Sequence, residues 1–407
     1  MTSLVFGHSD SGISDNTDVT YFPLGNLSLS LNVSTSETTG GVQQVCATAG
    51  TFSSWKLRMD TAPGTGNSWT LKIRKNGADT GMEIVISGTA TSGEDVTHTF
   101  DVTPGDKVSV QSTPSSTPDA PTSAISWSVK FTGSTTKQST ILGSLSANLA
   151  TGTTEYFAPM GCVTVNATEA LVSQMFTTAG TLTNFYGALR TAPGAAKSRA
   201  FKVYLNGSGT TQTFTISNTD TTGNDTAHPI TVAAGDVISV ECIPSGTPAA
   251  SNFLYGFTFT ATTDGHFPLV GGRVAGATAN ATRYMGVPYG TQTAWDTAEG
   301  DVQIYFQACT LSLLYTKVVT APGLTQSWVY RMRKNAGDLN LTCTISDTAT
   351  SANDTSNSDS IADADLIAIR CVGSLTAAAM GGNQWGVDAF ITPAASFSRA
   401  PTFFAVM

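Results

Sequence analysis

Two histidines of this chain recur at a fixed spacing and are its first candidates for acid–base chemistry. His98 and His228 lie 130 residues apart, and Asn357 stands 129 residues beyond His228. A catalytic histidine needs an acid or a nucleophile within hydrogen-bond reach, and no suitable partner recurs beside these positions. We therefore interpret them as polar loop positions, and we expect no catalytic residue.

A second candidate chemistry is calcium binding through loop oxygens. Asp347, Asp354 and Asp359 fall in one predicted loop together with Asn353, and Ca²⁺ takes such carboxylate and amide oxygens as ligands. Aspartate and asparagine are also ordinary turn residues, and a solvated turn is the preferred interpretation. Calcium is the one cofactor that the residues suggest, because no His-x-x-x-His or Glu-x-x-His spacing occurs.

Signatures of nucleotide, hydrolase and glycosidase chemistry are missing from the sequence. No Gly-x-x-x-x-Gly-Lys-Ser/Thr or Gly-x-Ser-x-Gly motif occurs. The glutamates, among them Glu37, Glu169 and Glu299, show no paired arrangement across the repeats described next that would suggest a glycosidase. Trp295 lies in a Gly/Thr-rich segment and is the best candidate for an exposed ligand platform, the alternative being a tryptophan folded over its own loop. The chain is therefore predicted not to be an enzyme.

These residues belong to a chain that repeats itself three times. One phrase recurs at intervals of 130 and 129 residues, as Thr61-Ala62-Pro63-Gly64, Thr191-Ala192-Pro193-Gly194 and Thr320-Ala321-Pro322-Gly323. A period of this length is the size of a domain and is longer than the ~20–50 residues of solenoid repeats. The sequence predicts three tandem domains, over residues 1–134, 135–263 and 264–407.

Short alternating runs predict that each domain is built from β-strands. Trp69, Leu71 and Ile73 fall on one face of their run, and the copies around 200–205 and 328–332 behave in the same way. Ala-Pro-Gly and Asn-Gly mark tight turns, and no long run has helical spacing. About eight short strands per repeat predict an all-β chain of three antiparallel β-sandwiches, most simply jelly rolls.

The order of these signals resembles a known family. Ala49-Gly50-Thr51 opens a strand, Lys75-Asn76-Gly77 forms a central hairpin, and Gly105-Asp106 precedes an apolar strand. This order resembles the tumour-necrosis-factor-like jelly roll, which the complement collagen-tailed proteins share. The whole chain also resembles the Thr/Ser/Gly-rich repeat proteins of tailed-phage virions. The first resemblance implies association about threefold axes, either as a pseudo-trimer within one chain or as stacked trimeric tiers of three chains.

Composition and charge bound the class of protein further. Charged residues make up 12% and hydrophobic residues 40%, so each domain can bury a core beneath a surface of Thr, Ser, Asn and Gly. That surface suits rigid virion or extracellular β-proteins. The net charge of −9 and the lack of a dense basic patch argue against nucleic acid as a partner. No run approaches the ~20 apolar residues of a membrane span, and no secretory signal peptide is evident.

Six cysteines are spread unevenly over the repeats and include no Cys-x-x-Cys pair. A disulfide framework would repeat with the domains, and this pattern does not. We therefore expect buried free thiols, consistent with synthesis in a reducing cytosol.

Together these features predict a non-enzymatic structural protein on the surface of a virus particle. A capsid decoration protein or a head or collar fibre of a tailed phage is expected, located in the virion after synthesis in the host cytoplasm. Its partners would be capsid or tail proteins of the same particle, and the chain would form a homo-oligomer or an intrachain pseudo-trimer. The alternative is a carbohydrate- or receptor-binding adhesin or tail-tip protein, with Trp295 as its platform.

Overall fold

The computed structural model describes residues 1–9, 13, 17–27, 32–121, 124–273, 275–292 and 295–393, and the structural statements below concern those residues. Strands dominate throughout, and the two helical elements are single 3-10 turns at Glu169–Leu171 and Glu299–Asp301. The strands form six sheets that pack in three pairs, here called the first, second and third sandwiches.

The first sandwich contains nine strands: β1 (Thr2–Ser9), β2 (Thr20–Phe22), β3 (Gln44–Val45), β4 (Gly50–Met59), β5 (Gly64–Lys75), β6 (Ala78–Gly88), β7 (Ser92–Val102), β8 (Lys107–Ser115) and β9 (Ile125–Gly133). One sheet has the order β1-β9-β4-β7, and the other has the order β2-β8-β5-β6 with β3 beside β8. Each sheet therefore pairs strands from the beginning of this chain segment with strands from its end, as a jelly roll requires.

The second sandwich contains eleven strands: β10 (Gln138–Leu145), β11 (Glu155–Phe157), β12 (Gly161–Val163), β13 (Gln174–Met175), β14 (Gly180–Leu189), β15 (Gly194–Leu205), β16 (Ser208–Asn218), β17 (Thr222–Asp225), β18 (Ile230–Val232), β19 (Val237–Ser245) and β20 (Phe253–Ala261). Its sheets have the orders β12-β10-β20-β14-β17 and β11-β19-β15-β16, with β18 beside β14 and β13 beside β19. The topology of the first sandwich is thus repeated.

The third sandwich contains ten strands: β21 (His266–Arg273), β22 (Thr282–Gly286), β23 (Tyr289–Gln292), β24 (Ile304–Tyr305), β25 (Cys309–Val318), β26 (Gly323–Lys334), β27 (Gly337–Asp347), β28 (Ser351–Ile361), β29 (Leu366–Gly373) and β30 (Asn383–Phe390). Its sheets have the orders β23-β21-β30-β25-β28 and β22-β29-β26-β27, with β24 beside β29. The prediction of an all-β chain of antiparallel sandwiches is confirmed. The domain boundaries drawn from the sequence stay a prediction.

The repeated Thr-Ala-Pro-Gly phrase is the turn that carries the chain from one sheet of each sandwich to the other. It joins β4 to β5, β14 to β15 and β25 to β26. Its glycine opens the second strand with a positive φ, of 89° at Gly64, 100° at Gly194 and 98° at Gly323. This is the left-handed region that residues with a Cβ avoid, which explains why glycine is kept in all three copies.

A second repeated glycine faces a large ring in each interior. A Cβ on Gly7 would lie 1.9 Å from Trp127, and one on Gly143 would lie 2.1 Å from Tyr255. The third copy pairs a glycine and a tryptophan in the same way (at positions 271 and 385). Each ring therefore fills the space that a side chain at the opposing position would need, and only glycine fits there.

The interior of the second sandwich holds an arginine where the other two hold a tryptophan. Trp69 and Trp328 are fully buried in the first and third sandwiches, and Arg199 takes the equivalent place in the second. Its guanidinium donates to the carbonyl oxygens of Ala150 at 2.7 Å and Ala249 at 3.0 Å. Trp69 donates to the equivalent carbonyl at 3.1 Å, so the arginine keeps the hydrogen bond and changes the rest of the packing.

Candidate functional site

The three sandwiches close into a ring through β1, β10 and β21, each of which is buried on both faces. Alternate residues of a strand point to opposite sides. One set packs into the strand's own sandwich: Val5, Ile141 and Leu269. The next residue of each strand packs into the interior of the preceding sandwich: Phe6, Leu142 and Val270. Since Phe6 of the first sandwich enters the third, where its ring centroid lies 4.4 Å from that of Phe306, the cycle is complete.

A side-chain hydrogen bond crosses each of the three seams, which are the contact surfaces between neighbouring sandwiches. The donors occupy equivalent positions, and each donates to the next sandwich around the ring. Thr48 donates to the Thr258 hydroxyl at 2.9 Å, which joins the first sandwich to the second. Thr178 donates to Asp388 at 2.5 Å, which joins the second to the third. Gln307 donates to the carbonyl oxygen of Ser54 at 2.8 Å, which joins the third back to the first. These contacts generate a closed head-to-tail arrangement of the heterologous kind.

The first–second seam has a tie of its own in Arg190. Its guanidinium donates to the carbonyl oxygen of Gly40 at 2.8 Å, to Gln43 Oε1 at 2.8 Å and to the carbonyl oxygen of Glu37 at 3.2 Å. Burial lowers the pKa of Arg190 to about 10, with Glu37 opposing the shift. At the second–third seam, Gln384 contacts the segment that is equivalent to the one around Glu37. Its Nε2 donates to the Ala170 carbonyl oxygen at 2.6 Å.

The third–first seam is held by an ion pair where the other two seams have tyrosines. Lys56 Nζ lies 3.3 Å from Asp363 Oδ2, and the equivalent residues of the later sandwiches are Tyr186 and Tyr315. The Tyr315 ring packs over Gly235, where a Cβ would lie 3.3 Å from it. The three seams therefore share a geometry and differ in chemistry.

The recurring histidines His98 and His228 each have an acidic partner, contrary to the prediction that none recurs. His98 Nδ1 lies 3.0 Å from Asp95 Oδ2, and His228 Nδ1 lies 3.0 Å from Asp225 Oδ2. In the third sandwich Asn357 Nδ2 donates to Asp354 at 2.9 Å. His98 and Asn357 lie in β7 and β28 rather than in the loops that were expected, whereas His228 lies in the loop between β17 and β18, as expected. Asp95, Asp225 and Asp354 keep the repeat spacing, which is the signal that could have revealed them.

These aspartates seal the open edge between the two sheets of each sandwich. Asp95 Oδ2 accepts the backbone N–H of Glu83 on the facing edge strand at 3.0 Å, while Oδ1 accepts the N–H groups of Thr97 and His98. Burial alone would raise the pKa of Asp95, but the N–H donors outweigh it and lower the pKa to about 2. The carboxylate therefore accepts N–H groups from both facing edge strands as well as contacting the His98 ring, and it links those two strands.

The calcium candidates are not brought together as one loop. Asp347 ends β27 and accepts the Thr325 N–H at 2.7 Å, while Asp354 and Asp359 lie within β28. Asp359 is buried and accepts the N–H groups of Asn340 and Leu341. N–H donors therefore face these oxygens where a cation would have to lie. In the part of the chain that the structure describes, no group of three His, Cys, Asp or Glu side chains could hold a metal ion.

Trp295 lies inside the third sandwich and is 7% exposed, which corrects the expectation of an exposed ligand platform. Its ring centroid lies 5.5 Å from that of Trp385 and 6.3 Å from that of Tyr330. Packing against two buried rings removes its apolar surface from water, and the Gly/Thr-rich composition of its segment gave no sign of this. The carbohydrate-binding alternative thereby loses its aromatic residue.

Three glutamates recur in the structure although the sequence spacing concealed them. Glu37 accepts from Arg74 Nε at 3.0 Å, and Glu299 accepts from Arg333 Nη2 at 2.7 Å. Glu169 begins the equivalent segment of the second sandwich. The sequence spacing conceals this recurrence, because the segment after Glu37 is two residues longer than the one after Glu169 and shifts the interval. That no pair of glutamates suggests a glycosidase stays a prediction.

The second sandwich lacks the arginine that pairs with this glutamate in the other two sandwiches. Tyr204 stands where the others have arginine, and its hydroxyl donates to Glu241 Oε1 at 3.0 Å. Tyr156 donates to the same oxygen at 3.1 Å, and the two tyrosine rings meet edge-on with centroids 5.5 Å apart. An arginine therefore pairs with the glutamate in the first and third sandwiches, whereas the tyrosines of the second sandwich bond a different carboxylate, Glu241.

The six cysteines are buried free thiols, as predicted: Cys46, Cys162, Cys242, Cys309, Cys343 and Cys371. Burial raises the pKa of each, to about 11 for Cys162 and to about 12 for Cys242. Thiols held in this form are poor nucleophiles. Among the described residues, no helix is long and apolar enough to cross a membrane.

Comparisons with known proteins leave the chain without an assigned family. No family model matches it, and no curated protein matches it. Among solved structures, it aligns with a chain from "Life in the extremes: atomic structure of Sulfolobus Turreted Icosahedral Virus". That alignment covers 84% of this chain and 79% of the other, with 10% sequence identity and a TM-score of 0.18. A likeness at this TM-score carries no argument about fold or function.

Proposed function

We propose that this chain is a non-enzymatic structural protein of a virus-particle surface, and specifically a capsid decoration protein of a tailed phage. The observation that carries the proposal is the closed ring. One chain builds a pseudo-trimer whose inner strands are buried on both faces, with Phe6 locking the third sandwich to the first. Such a body suits attachment to a particle as a rigid unit.

The repeated polar residues support a structural role over an enzymatic one. Asp95 and its equivalents are bonded to backbone N–H groups, and the six thiols are buried. The low charge content of 12% also fits a Thr/Ser/Gly surface of the kind found on virion β-proteins. The proposed partners are capsid or head proteins of the same particle.

Particle imaging tests the proposal. Antibodies against the purified chain are used for immunogold labelling of virions from the phage that encodes it, and cryo-EM density is fitted with the ring. Labelling on the head surface, with one three-lobed density per chain, is expected. Purified virions that lack the protein would contradict the proposal. Light scattering of the free chain adds a separate check, because a ring closed within one chain has the mass of one chain in solution.

A further inference from the structure

A cleft of about 300 Å³ opens at the second–third seam. Glu169 and Ser173 line it from the second sandwich, and Lys317, Val319 and Gln384 line it from the third. This volume lies at the lower end of the range for small-molecule sites. Its walls are largely apolar and carry one acidic and one basic side chain, Glu169 and Lys317, which suits a small ligand with charged groups.

The cleft exists because one residue of the seam has changed. At the first–second seam the same place is occupied by Arg190, which reaches across to Gly40 and Gln43. The third sandwich has Val319 at that position, and the valine remains 45% exposed. A short apolar side chain does not reach the opposite wall, so the space that Arg190 fills at one seam stays open at the other.

Glu169 on one wall has the chemistry to bind a cationic group. Its counterparts Glu37 and Glu299 bind the guanidinium groups of Arg74 and Arg333. Among the described residues, Glu169 has no cationic partner. Its Oε1 accepts from the Ser239 hydroxyl at 2.8 Å, which leaves Oε2 directed toward Gly207, where a Cβ would lie 3.7 Å away. The same chain thus uses this carboxylate position twice for guanidinium recognition.

Lys317 supplies the opposite charge from the other wall. Lys317 and Glu169 line the same cleft, yet no ion pair joins them among the described residues. Opposite charges held apart across a cleft match a ligand that carries both charges. We propose that this cleft binds a small zwitterion, namely an α-amino acid with a cationic side chain, its guanidinium or ammonium group at Glu169 and its carboxylate at Lys317. The site goes beyond the proposed structural role and does not depend on it.

Titration with L-arginine and agmatine tests the proposal, because agmatine carries the guanidinium without the α-carboxylate. The full-length chain is titrated by NMR, with amide shifts followed at Asn206, Gly207 and Val319. We expect saturable binding of L-arginine at these positions and binding of agmatine weaker by about 10-fold, since one charge-assisted contact is lost.

Two variants assign the two charges. Glu169→Gln keeps the acceptor for Ser239 and is expected to weaken both probes by about 10-fold or more. Lys317→Gln is expected to weaken L-arginine to the level of agmatine and to leave agmatine unchanged. Glu83→Gln, on the outer face of the first sandwich, is the matched control and is expected to change neither affinity. Thermal unfolding of each variant checks that the fold is kept.

A third variant fills the cleft from within. Val319→Arg places a guanidinium at the position that Arg190 holds in the first–second seam, and it is expected to abolish L-arginine binding while the chain stays folded. No saturable shifts with wild-type chain would overturn the proposal, as would L-arginine binding that survives Glu169→Gln or Val319→Arg. The presence or absence of the protein in virions bears only on the proposed structural function, so the two proposals fail separately.

Discussion

The interiors of the three sandwiches and the seams between them follow different rules. In the interiors, most equivalent positions hold similar groups, as in the glycine–ring pairs Gly7 with Trp127 and Gly143 with Tyr255, and Arg199 is an exception. At the seams, equivalent positions hold different chemistry: Lys56 pairs with Asp363, while Tyr315 packs on Gly235. The same strands must pack in every interior, whereas a seam has to fit only one neighbour.

This difference teaches that the order of sandwiches around the ring is encoded at the seams. A sandwich placed beside the wrong neighbour would keep its own core and lose its polar ties. Arg190 would no longer meet Gly40 and Gln43, and Lys56 would face a glycine turn in place of Asp363. Unlike seams therefore act against misassembly, in the way that specificity between partners is usually built.

The largest expected effect comes from a substitution on β1 at Phe6, which lies in the third–first seam beside Val5 of the sandwich interior. Phe6→Ala should lower the free energy of unfolding by about 3–5 kcal/mol, because it removes a buried ring packed at a tilt against Phe306. It should also open the third–first seam, which small-angle scattering would register as a larger radius of gyration. Denaturant unfolding measures the loss of stability.

Val5→Ala is the control for that experiment, since Val5 faces the interior of its own sandwich. We expect it to cost about 1–3 kcal/mol without any change in the radius of gyration. If Phe6→Ala left the scattering profile unchanged, the ring would not depend on this seam.

A smaller effect should follow from removing the carboxylate that seals an interior. Asp354→Ala strands the N–H groups of Thr342, Ser356 and Asn357 and should cost about 3 kcal/mol in the free energy of unfolding. Asp347→Ala strands a single N–H on an exposed turn and should cost about 1 kcal/mol. Equal losses in urea unfolding of the two variants would contradict the sealing role.

Low pH should weaken the hydrogen bonds of the same aspartates, with a somewhat smaller loss in the free energy of unfolding. The pKa of Asp95 and that of Asp354 are lowered to about 2 from 3.8, so each folded state favours the ionised form. The stabilisation is present above the unfolded pKa and is lost as the pH falls through the folded pKa, at about 2 kcal/mol per site. Unfolding free energies measured from about pH 5 down to about pH 2 should show this slope, and Asp95→Asn should remove part of it.

The smallest effect is expected at the ion pair of the third–first seam. Asp363 is 54% exposed while Lys56 is 15% exposed, so water and salt screen the pair. Lys56→Met should cost below about 1 kcal/mol, and the difference from wild type should shrink at high salt. A loss of several kcal/mol in thermal unfolding would mean that charge, rather than apolar packing, holds this seam.

Much of the fold could be predicted from local patterns. Thr-Ala-Pro-Gly fixed the register of the repeats, and the alternation around Trp69 marked a strand, because turn chemistry and side-chain period are properties of short segments. The segment around Asp95 was misjudged, since its polar residues describe an exposed edge strand as well as they describe a loop. The Glu83 N–H that donates to Asp95 lies on another strand, β6, which local reasoning does not reach.

The candidate sites were harder to predict for a physical reason. Trp295 looked exposed because of its Gly/Thr-rich neighbours, and burial depends on residues about 35 and 90 positions away, Tyr330 and Trp385. Glu169 was missed because a two-residue difference in its segment broke the repeat interval. Whether Glu169 can bind an added cation also depends on its neighbour, which is Tyr204 where the other two sandwiches have an arginine.

The sequence by itself determined the strands and turns, because these follow from residues close together in the chain. It also determined the repeated module and the free state of the thiols, because these follow from the spacing of residue types along the chain. Only the tertiary structure decided that the modules close into a ring. That closure rests on contacts such as Gln307 with Ser54, which are 253 residues apart. No local pattern predicts which neighbour a strand with two apolar faces will contact. Either face can be buried by several surfaces, and only the packing of the whole chain determines which one it is.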